Sequence, residues 1–237
     1  MSYILVVFLL GLVILGHEFG HFVAGKYAGI PIQIFSIGFG PGIFKFKKGN
    51  TEYRISLIPV GGYVLPDVEE ESEFFKIPAG KRIMMTMGGP LASLLITIVC
   101  FSLFSIFSAG FSLQNLILKP IMLTFTLTAN FIIMIPSLFK QAGQLSGVIG
   151  IVSQGGQFVG LNLLNSLSFM AILSINLFVL NLLPVPVLDG GKMLVYALER
   201  IHPKFIKLQF PLAIVGWVLI LGLMIYVTVL DIGKFIV

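Results

Sequence analysis

The chain has 237 residues, of which 57% are hydrophobic and only 11% are charged, and its mean hydropathy is +1.04. This composition excludes a soluble globular domain and predicts a polytopic α-helical membrane protein. The formal net charge of +5 would suit a nucleic-acid partner in a soluble protein. Here the basic residues cluster in connections between apolar segments, so we expect a lipid bilayer and no nucleic acid as the partner.

The first apolar segment, residues 3–25, is long enough to cross about 30 Å of hydrocarbon. It contains the HExxH pattern from His17 to His21. Positions i and i+4 share one face of a helix, so both histidines can bind one Zn²⁺, and Glu18 is free to act as a general base. The alternative is a pair of core histidines on one helix face. A catalytic zinc also needs a third protein ligand.

The connection after this segment has β character. Residues 43–57 alternate between apolar and polar side chains on either side of Lys48-Gly49-Asn50, which is typical of a turn. This pattern predicts an amphipathic β-hairpin associated with the membrane boundary.

Later segments of the chain predict a single membrane domain, residues 1–237, with about four transmembrane helices. The further predicted spans are residues 84–107, 166–188 and 208–230. Residues 121–139 are also apolar, but crossing there would place the basic residues that follow 188 outside, against the positive-inside rule. We therefore predict a re-entrant or interfacial helix there.

The distribution of basic residues also predicts the orientation. Eight Lys or Arg lie between the first two spans and four between the last two. By the positive-inside rule these connections face the cytoplasm, and both termini face outward.

The third zinc ligand is expected from the carboxylates. Apart from Glu18, the carboxylate that we select is Asp189, which lies at the end of an apolar span. Pro184 and Pro186 break the helix before it, and a broken helix at membrane depth is tolerated where it lines a cavity. Asn181 lies just upstream. The alternative is an interfacial Asp, with Asn181 bonding between helices. The topology favours a His/His/Asp site with water in the fourth position.

Together these motifs resemble the site-2 protease family, and among its members the bacterial regulator-of-sigma-E type. The resemblance rests on HEFGH at 17–21, FSIGFGP at 35–41, GGYV at 61–64, Gly89-Pro90 and NLLPVPVLDGG at 181–191. It implies an intramembrane zinc metalloprotease. By position it implies that His17, His21 and Asp189 are the zinc ligands, Glu18 is the catalytic glutamate and Asn181 contacts substrate.

The chain departs from the family pattern at three places. Ser93 stands where the family has Asn, and Val148 where it has Pro. The regulator-type members carry PDZ domains between the second and third spans, but only about 13 residues separate Phe107 from Ile121. The chain is either a naturally minimal member or a protein from which that domain has been removed.

The resemblance implies cleavage of transmembrane protein substrates, such as anti-sigma factors or signal-peptide remnants, in the bacterial cytoplasmic (inner) membrane. We expect the hairpin to hold an extended substrate by strand addition through Tyr53, Arg54 and Ile55. The rival interpretation is a zinc-binding membrane transporter or scaffold without hydrolysis. It would not need Glu18, and it would need polar groups along a pathway that the second and fourth spans scarcely offer.

Overall fold

The computed structural model describes residues 1–68, 71–140 and 146–235, and most of them are helical. The elements in chain order are α1 (Ser2–Tyr27), β1 (Ile32–Lys48), β2 (Thr51–Pro66), α2 (Glu71–Lys76), α3 (Ala79–Ala109), a π-helical turn (Gln114–Leu118), α4 (Lys119–Lys140), α5 (Val148–Val159), α6 (Leu163–Asn181), α7 (Asp189–Glu199), a 3₁₀ helix (Pro203–Leu208) and α8 (Gln209–Phe235).

Five helical stretches of the described chain are long and apolar enough to cross a membrane. Three of them, α1, α3 and the stretch Pro203–Gly233, contain the predicted spans 3–25, 84–107 and 208–230, and a fourth, α6, covers the predicted span 166–188 only as far as Asn181. The fifth, Gln114–Ser137, covers most of residues 121–139. A helix is thus confirmed there, and its length and composition permit a crossing. That it does not cross stays a prediction.

The third span ends earlier than the sequence suggested. Helix α6 ends at Asn181, not at 188, and helix α7 begins at Asp189. Between them the chain turns, with the Val185 amide donating to the Leu183 carbonyl at 2.7 Å. Pro184 has no amide hydrogen and disfavours helical backbone at the residue before it, which accounts for the early end.

The predicted hairpin at 43–57 is confirmed. It pairs from Gly42 with Ser56 to Lys48 with Thr51, and Gly49 adopts a positive φ of 61° in the turn. Both strands continue beyond this hairpin. The early part of β1, residues 32–37, pairs with residues 62–66 on one side and with residues 52–55 on the other.

The chain divides into two compact units. One comprises residues 1–10, 94–179 and 214–237, and its buried core includes Val6, Phe101, Val159, Phe169 and Ile175. The other comprises residues 11–93 and 180–213. Its buried core packs the start of the sheet against α1 and α3 through Phe22, Ile30, Ile32, Phe35 and Met85. All the predicted site residues belong to this second unit.

Candidate metal centre

Three side chains converge at the HExxH segment of α1. His17 Nε2 and His21 Nε2 lie 3.2 Å apart, and Asp189 Oδ2 lies 3.2 Å from each of them. His17 and Asp189 are buried, with 4% and 6% exposure. The structure thus brings together the three residues that the sequence suggested as metal ligands.

The spacing of these atoms fits zinc. A tetrahedral Zn²⁺ with bonds of about 2.0–2.1 Å holds neighbouring ligand atoms about 3.3 Å apart. The three separations of 3.2 Å match one face of such a tetrahedron. Two imidazoles and one carboxylate are a usual donor set for catalytic zinc. No other cluster of three potential ligands is found among the described residues.

Each histidine is oriented through its other ring nitrogen. His17 Nδ1 lies 2.9 Å from Ser93 Oγ, and His21 Nδ1 lies 3.0 Å from the carbonyl oxygen of Met85. When both Nδ1 atoms carry the proton and donate it, both Nε2 atoms are free to bind a metal. Ser93 therefore keeps a polar contact at the position where the family pattern has Asn.

Helices α1 and α3 meet closely beside the histidines because small residues face each other. A Cβ atom on Gly20 would overlap the Gly88 carbonyl oxygen, and one on Gly88 would overlap that of Gly20 and lie 2.5 Å from Ala24 Cβ. Residues Gly20 and Ala24 on α1, and Gly88 and Ala92 on α3, form the small-xxx-small pattern typical of close helix pairs in membranes. This crossing places the acceptors on α3 within reach of both imidazoles.

Gly89 lies directly against the Nε2 atoms of both histidines. A Cβ atom there would overlap His21 Nε2 and lie 2.7 Å from His17 Nε2. Gly89, which the sequence offered only as part of a family motif, thus has a local physical reason to be glycine.

Asp189 is placed by a tight turn. Gly190 and Gly191 follow it in α7, and a Cβ atom on either would overlap the carbonyl groups of Leu182 or Val185. Burial would raise the pKa of Asp189, but the close contacts with His17 and His21 lower that pKa by more than burial raises it. A carboxylate must be ionised to bind a metal, and a lowered pKa favours the ionised form.

Glu18 lies next to the second half of β2. A Cβ atom on Gly62 would lie 3.2 Å from Glu18 Cγ, so the chain passes close to the glutamate at Gly62. Asn181 is the last residue of α6, half-buried, at the start of the turn that leads to Asp189. It belongs to the same unit as the cluster but is not one of the three converging residues.

The expected free edge at Tyr53, Arg54 and Ile55 is corrected by the structure. Tyr53 pairs with both Phe35 and Phe46, and the residues beside it are likewise paired on two sides. A strand with two neighbours has no free ladder for a substrate. Local alternation showed only the hairpin, whereas the pairing of 32–37 with both 52–55 and 62–66 joins distant parts of the sequence.

Side-chain contacts give these residues structural roles. The Tyr53 ring stacks on Phe46 at 4.9 Å and meets Phe22 edge-on at 5.8 Å, which ties the hairpin to α1. Arg54 donates to Glu52 at 2.6 Å and to the Tyr63 hydroxyl at 3.2 Å. Within the described pairing, residues 62–66 have a neighbour on one side only and form the sheet edge beside Glu18.

Two histidines and a glutamate on a helix apolar enough to cross a membrane, with Asp189 of α7 in contact with both histidines, are the features of a membrane metalloprotein. The model of peptidase family M50 matches residues 5–225, and the chain belongs to this family. This result confirms the resemblance to site-2 proteases, and with the apolar helices it identifies a multi-pass membrane protein.

Several curated relatives are named as zinc metalloproteases. One from Chlamydia pneumoniae is 40% identical over 118 residues, which is 43% of this chain and 19% of the relative. One from Treponema pallidum is 36% identical over 115 residues, 42% of this chain and 26% of the relative. The chain thus matches about a fifth to a quarter of the length of these relatives.

A relative from Clostridium perfringens, also named a zinc metalloprotease, aligns almost end to end. It is 25% identical over 317 residues, covering 92% of this chain and 95% of the relative. Because the alignment is longer than the 237-residue chain, the relative carries residues without a counterpart here.

Proposed function

We propose that the protein is a zinc metalloprotease that hydrolyses peptide bonds in or near transmembrane segments of membrane-bound substrates. The observation that carries this proposal is the triangle of His17 Nε2, His21 Nε2 and Asp189 Oδ2, with sides of 3.2 Å, next to a glutamate on α1. The geometry fits zinc, and the family and the names of the relatives agree with a protease.

In this proposal His17, His21 and Asp189 hold the ion. Bound zinc would polarise the scissile carbonyl and lower the pKa of a water molecule, which is the chemistry that peptide hydrolysis requires. Glu18 takes the proton from the attacking water and later delivers a proton to the leaving amine. Ser93 and the Met85 carbonyl hold both imidazoles in the tautomer that presents Nε2.

The substrate backbone is bound in an extended form. A transmembrane helix bonds its own carbonyls, so it must unwind before hydrolysis. The edge formed by residues 62–66 offers strand addition next to Glu18, where Gly62 leaves room for close approach. Asn181, near the turn that ends at Asp189, donates to a freed carbonyl of the substrate. These assignments replace Tyr53, Arg54 and Ile55 as substrate-contacting residues.

The setting proposed for this reaction is the bacterial cytoplasmic membrane. The basic residues of the first and last long connections support a cytoplasmic position for those connections, and the HExxH end of α1 leads into the first of them. The termini then lie outside. Substrates are membrane proteins with a single cleavable span, such as anti-sigma factors or signal-peptide remnants.

The test uses the purified full chain in detergent with a tagged transmembrane peptide. The parent is expected to contain about one zinc per chain and to cleave the peptide, with loss of cleavage on chelation and recovery on zinc addition. Glu18→Gln should keep the zinc and abolish cleavage, because an amide cannot accept the proton. Asp189→Ala should lose zinc and cleavage together.

Two outcomes would contradict the proposal. Cleavage by Glu18→Gln at the parental rate would remove the assigned base. Zinc binding by the parent with no cleavage of any transmembrane peptide, but with zinc flux in proteoliposomes, would favour the transporter interpretation.

A further inference from the structure

Arg82 is a charged side chain that is completely buried outside the metal centre. It lies in the first turn of α3, and its side chain is 0% exposed. Nη2 donates to Glu199 Oε2 at 2.6 Å, and Nε donates to the carbonyl of Ile77 at 2.8 Å. Burying a guanidinium is costly unless it is paired and hydrogen-bonded, so this set of contacts must form together.

Helix α7 connects Arg82 with the metal centre. This helix begins at Asp189 and ends at Glu199, so the proposed ligand and the ion-pair partner occupy its two ends. The buried ring of Tyr196 also lies 4.6 Å from the Arg82 guanidinium, in a cation–π contact. Arg82 thus holds the C-terminal end of the helix that supplies Asp189, by two contacts of different kinds.

Helix α3 also positions His21, and it does so from the turn that begins at Arg82. Met85, one turn after Arg82, provides the carbonyl that lies 3.0 Å from His21 Nδ1. Thr86 Oγ1 donates to the Arg82 carbonyl at 2.9 Å within this turn. Arg82 therefore lies where the helix that orients His21 is joined to the helix that carries Asp189.

We infer that Arg82 is a positioning residue of the metal centre, with Glu199 and Tyr196 as its partners. It fixes α7 against α3 so that Asp189 Oδ2 stays equally close to both histidines. Helix α7 has 11 residues and is therefore about 16 Å long at 1.5 Å per residue, so a tilt at its far end displaces the carboxylate. The inference rests on the proposed zinc site and names a residue remote from it.

The decisive variant is Arg82→Met, which keeps an unbranched stem against Tyr196 and leaves Glu199 unpaired. We expect the zinc dissociation constant, measured by chelator competition, to rise at least about tenfold. The visible absorption of the cobalt-substituted protein should change, because it reports the ligand geometry. With a transmembrane peptide, kcat should fall and KM should stay unchanged.

Two further variants make the test specific. Glu199→Gln keeps an oxygen that accepts from Arg82, so we expect a smaller loss of zinc affinity than in Arg82→Met. The matched control is Arg200→Met. It also removes one arginine charge, but from an exposed residue that directly follows Glu199 in the sequence. It should keep the parental zinc affinity, cobalt spectrum and kcat.

A lower melting temperature in Arg82→Met with parental zinc affinity and a parental cobalt spectrum would overturn the inference. If Arg82→Met does not fold, Glu199→Gln and Arg82→Lys decide by the same criterion, and parental affinity in both overturns it. Failure of the proposed function looks different. A parent that binds zinc without cleaving peptides refutes hydrolysis alone, whereas a parent without stoichiometric zinc refutes both.

Discussion

Ser93 Oγ lies 2.9 Å from His17 Nδ1, and both side chains are buried. Ser93 belongs to α3 and His17 to α1, so this contact links the two helices that cross at Gly20 and Gly88. When His17 Nδ1 carries the proton, this hydroxyl accepts it and fixes the imidazole orientation that a metal requires at Nε2.

Removal of this acceptor should weaken zinc binding. In Ser93→Ala the His17 N–H loses its partner in a buried site, and we expect zinc affinity to fall about tenfold to a hundredfold. Ser102→Ala is the matched control, because Ser102 is a buried serine of the same helix whose hydroxyl donates to the Leu116 carbonyl at 2.8 Å. Chelator competition measures the zinc affinity of both variants. Equal affinities would show that Ser93 does not orient His17.

Gly89→Ala should destroy the metal centre. The added methyl group would overlap His21 Nε2 and approach His17 Nε2, so the histidines or α3 must shift. We expect at least about a tenfold loss of zinc affinity, a loss typical of disturbed ligand orientation. Gly222→Ala, in α8, adds the same methyl group where nothing lies within 4 Å, and it should keep one zinc per chain. Chelator competition distinguishes the two variants, and a parental zinc affinity in Gly89→Ala would contradict the geometry.

The convergence of the three proposed ligands could be anticipated from the sequence because residue type carries the information. His17 and His21 share a helix face by spacing, and Asp189 is conspicuous because carboxylates are rare in apolar segments. The hydrogen-bond partners of the two histidines could not be predicted in this way. The acceptor for His21 is the Met85 carbonyl, which every residue type possesses, and Ser93 was noted only as a departure from a pattern.

The sheet was predicted in part, for a related reason. Alternation along the chain identifies the hairpin at 43–57, but the second pairing of residues 34–37, with residues 52–55, requires the outer part of the hairpin to fold back on its inner part. Gly38 and Gly61 adopt φ values of 86° and 101°, which are open mainly to glycine, and they mark the places where the strand direction changes. Such glycines are visible in a sequence, yet the partner that each one selects is not.

The edge of the sheet gives a prediction about substrate binding. Proline removes the backbone N–H that a neighbouring strand would bind. Among proline substitutions at Tyr63, Val64 and Leu65, those that remove an amide facing the free edge should therefore lower cleavage of a membrane peptide. At such a position we expect the rate of peptide cleavage to fall at least about tenfold, equivalent to roughly 1.4 kcal/mol. Zinc content and melting temperature should stay normal. Alanine at the same positions should have a smaller effect.

Proline at Arg54 serves as the comparison for an inner strand. Its backbone pairs with both Ser36 and Lys45, so proline there should lower the melting temperature together with cleavage. If none of the three edge positions separated cleavage from thermal stability, the edge would not bind substrate.

Asp231 lies in the unit formed by residues 1–10, 94–179 and 214–237, which does not contain the proposed metal ligands. We expect it to stabilise this unit without affecting zinc binding. It is a buried residue of α8, and its Oδ2 accepts from the amides of Gly147 and Gly150, at 2.9 and 2.8 Å, where α5 begins. A carboxylate at a helix N-terminus satisfies amides that lack helical partners and interacts favourably with the helix dipole. Loss of these two bonds in Asp231→Ala should reduce the free energy of unfolding by about 2–4 kcal/mol.

The same variant should leave the zinc dissociation constant unchanged, since all the proposed ligands lie in the unit that excludes Asp231. Asp231→Asn keeps one acceptor oxygen and should lose about half as much stability. Thr228→Val, an exposed change on the same helix, is the control. Denaturant unfolding in detergent and hydrogen exchange of the Gly147 and Gly150 amides provide the measurements. Unchanged exchange of these amides in Asp231→Ala would show that the carboxylate does not cap α5.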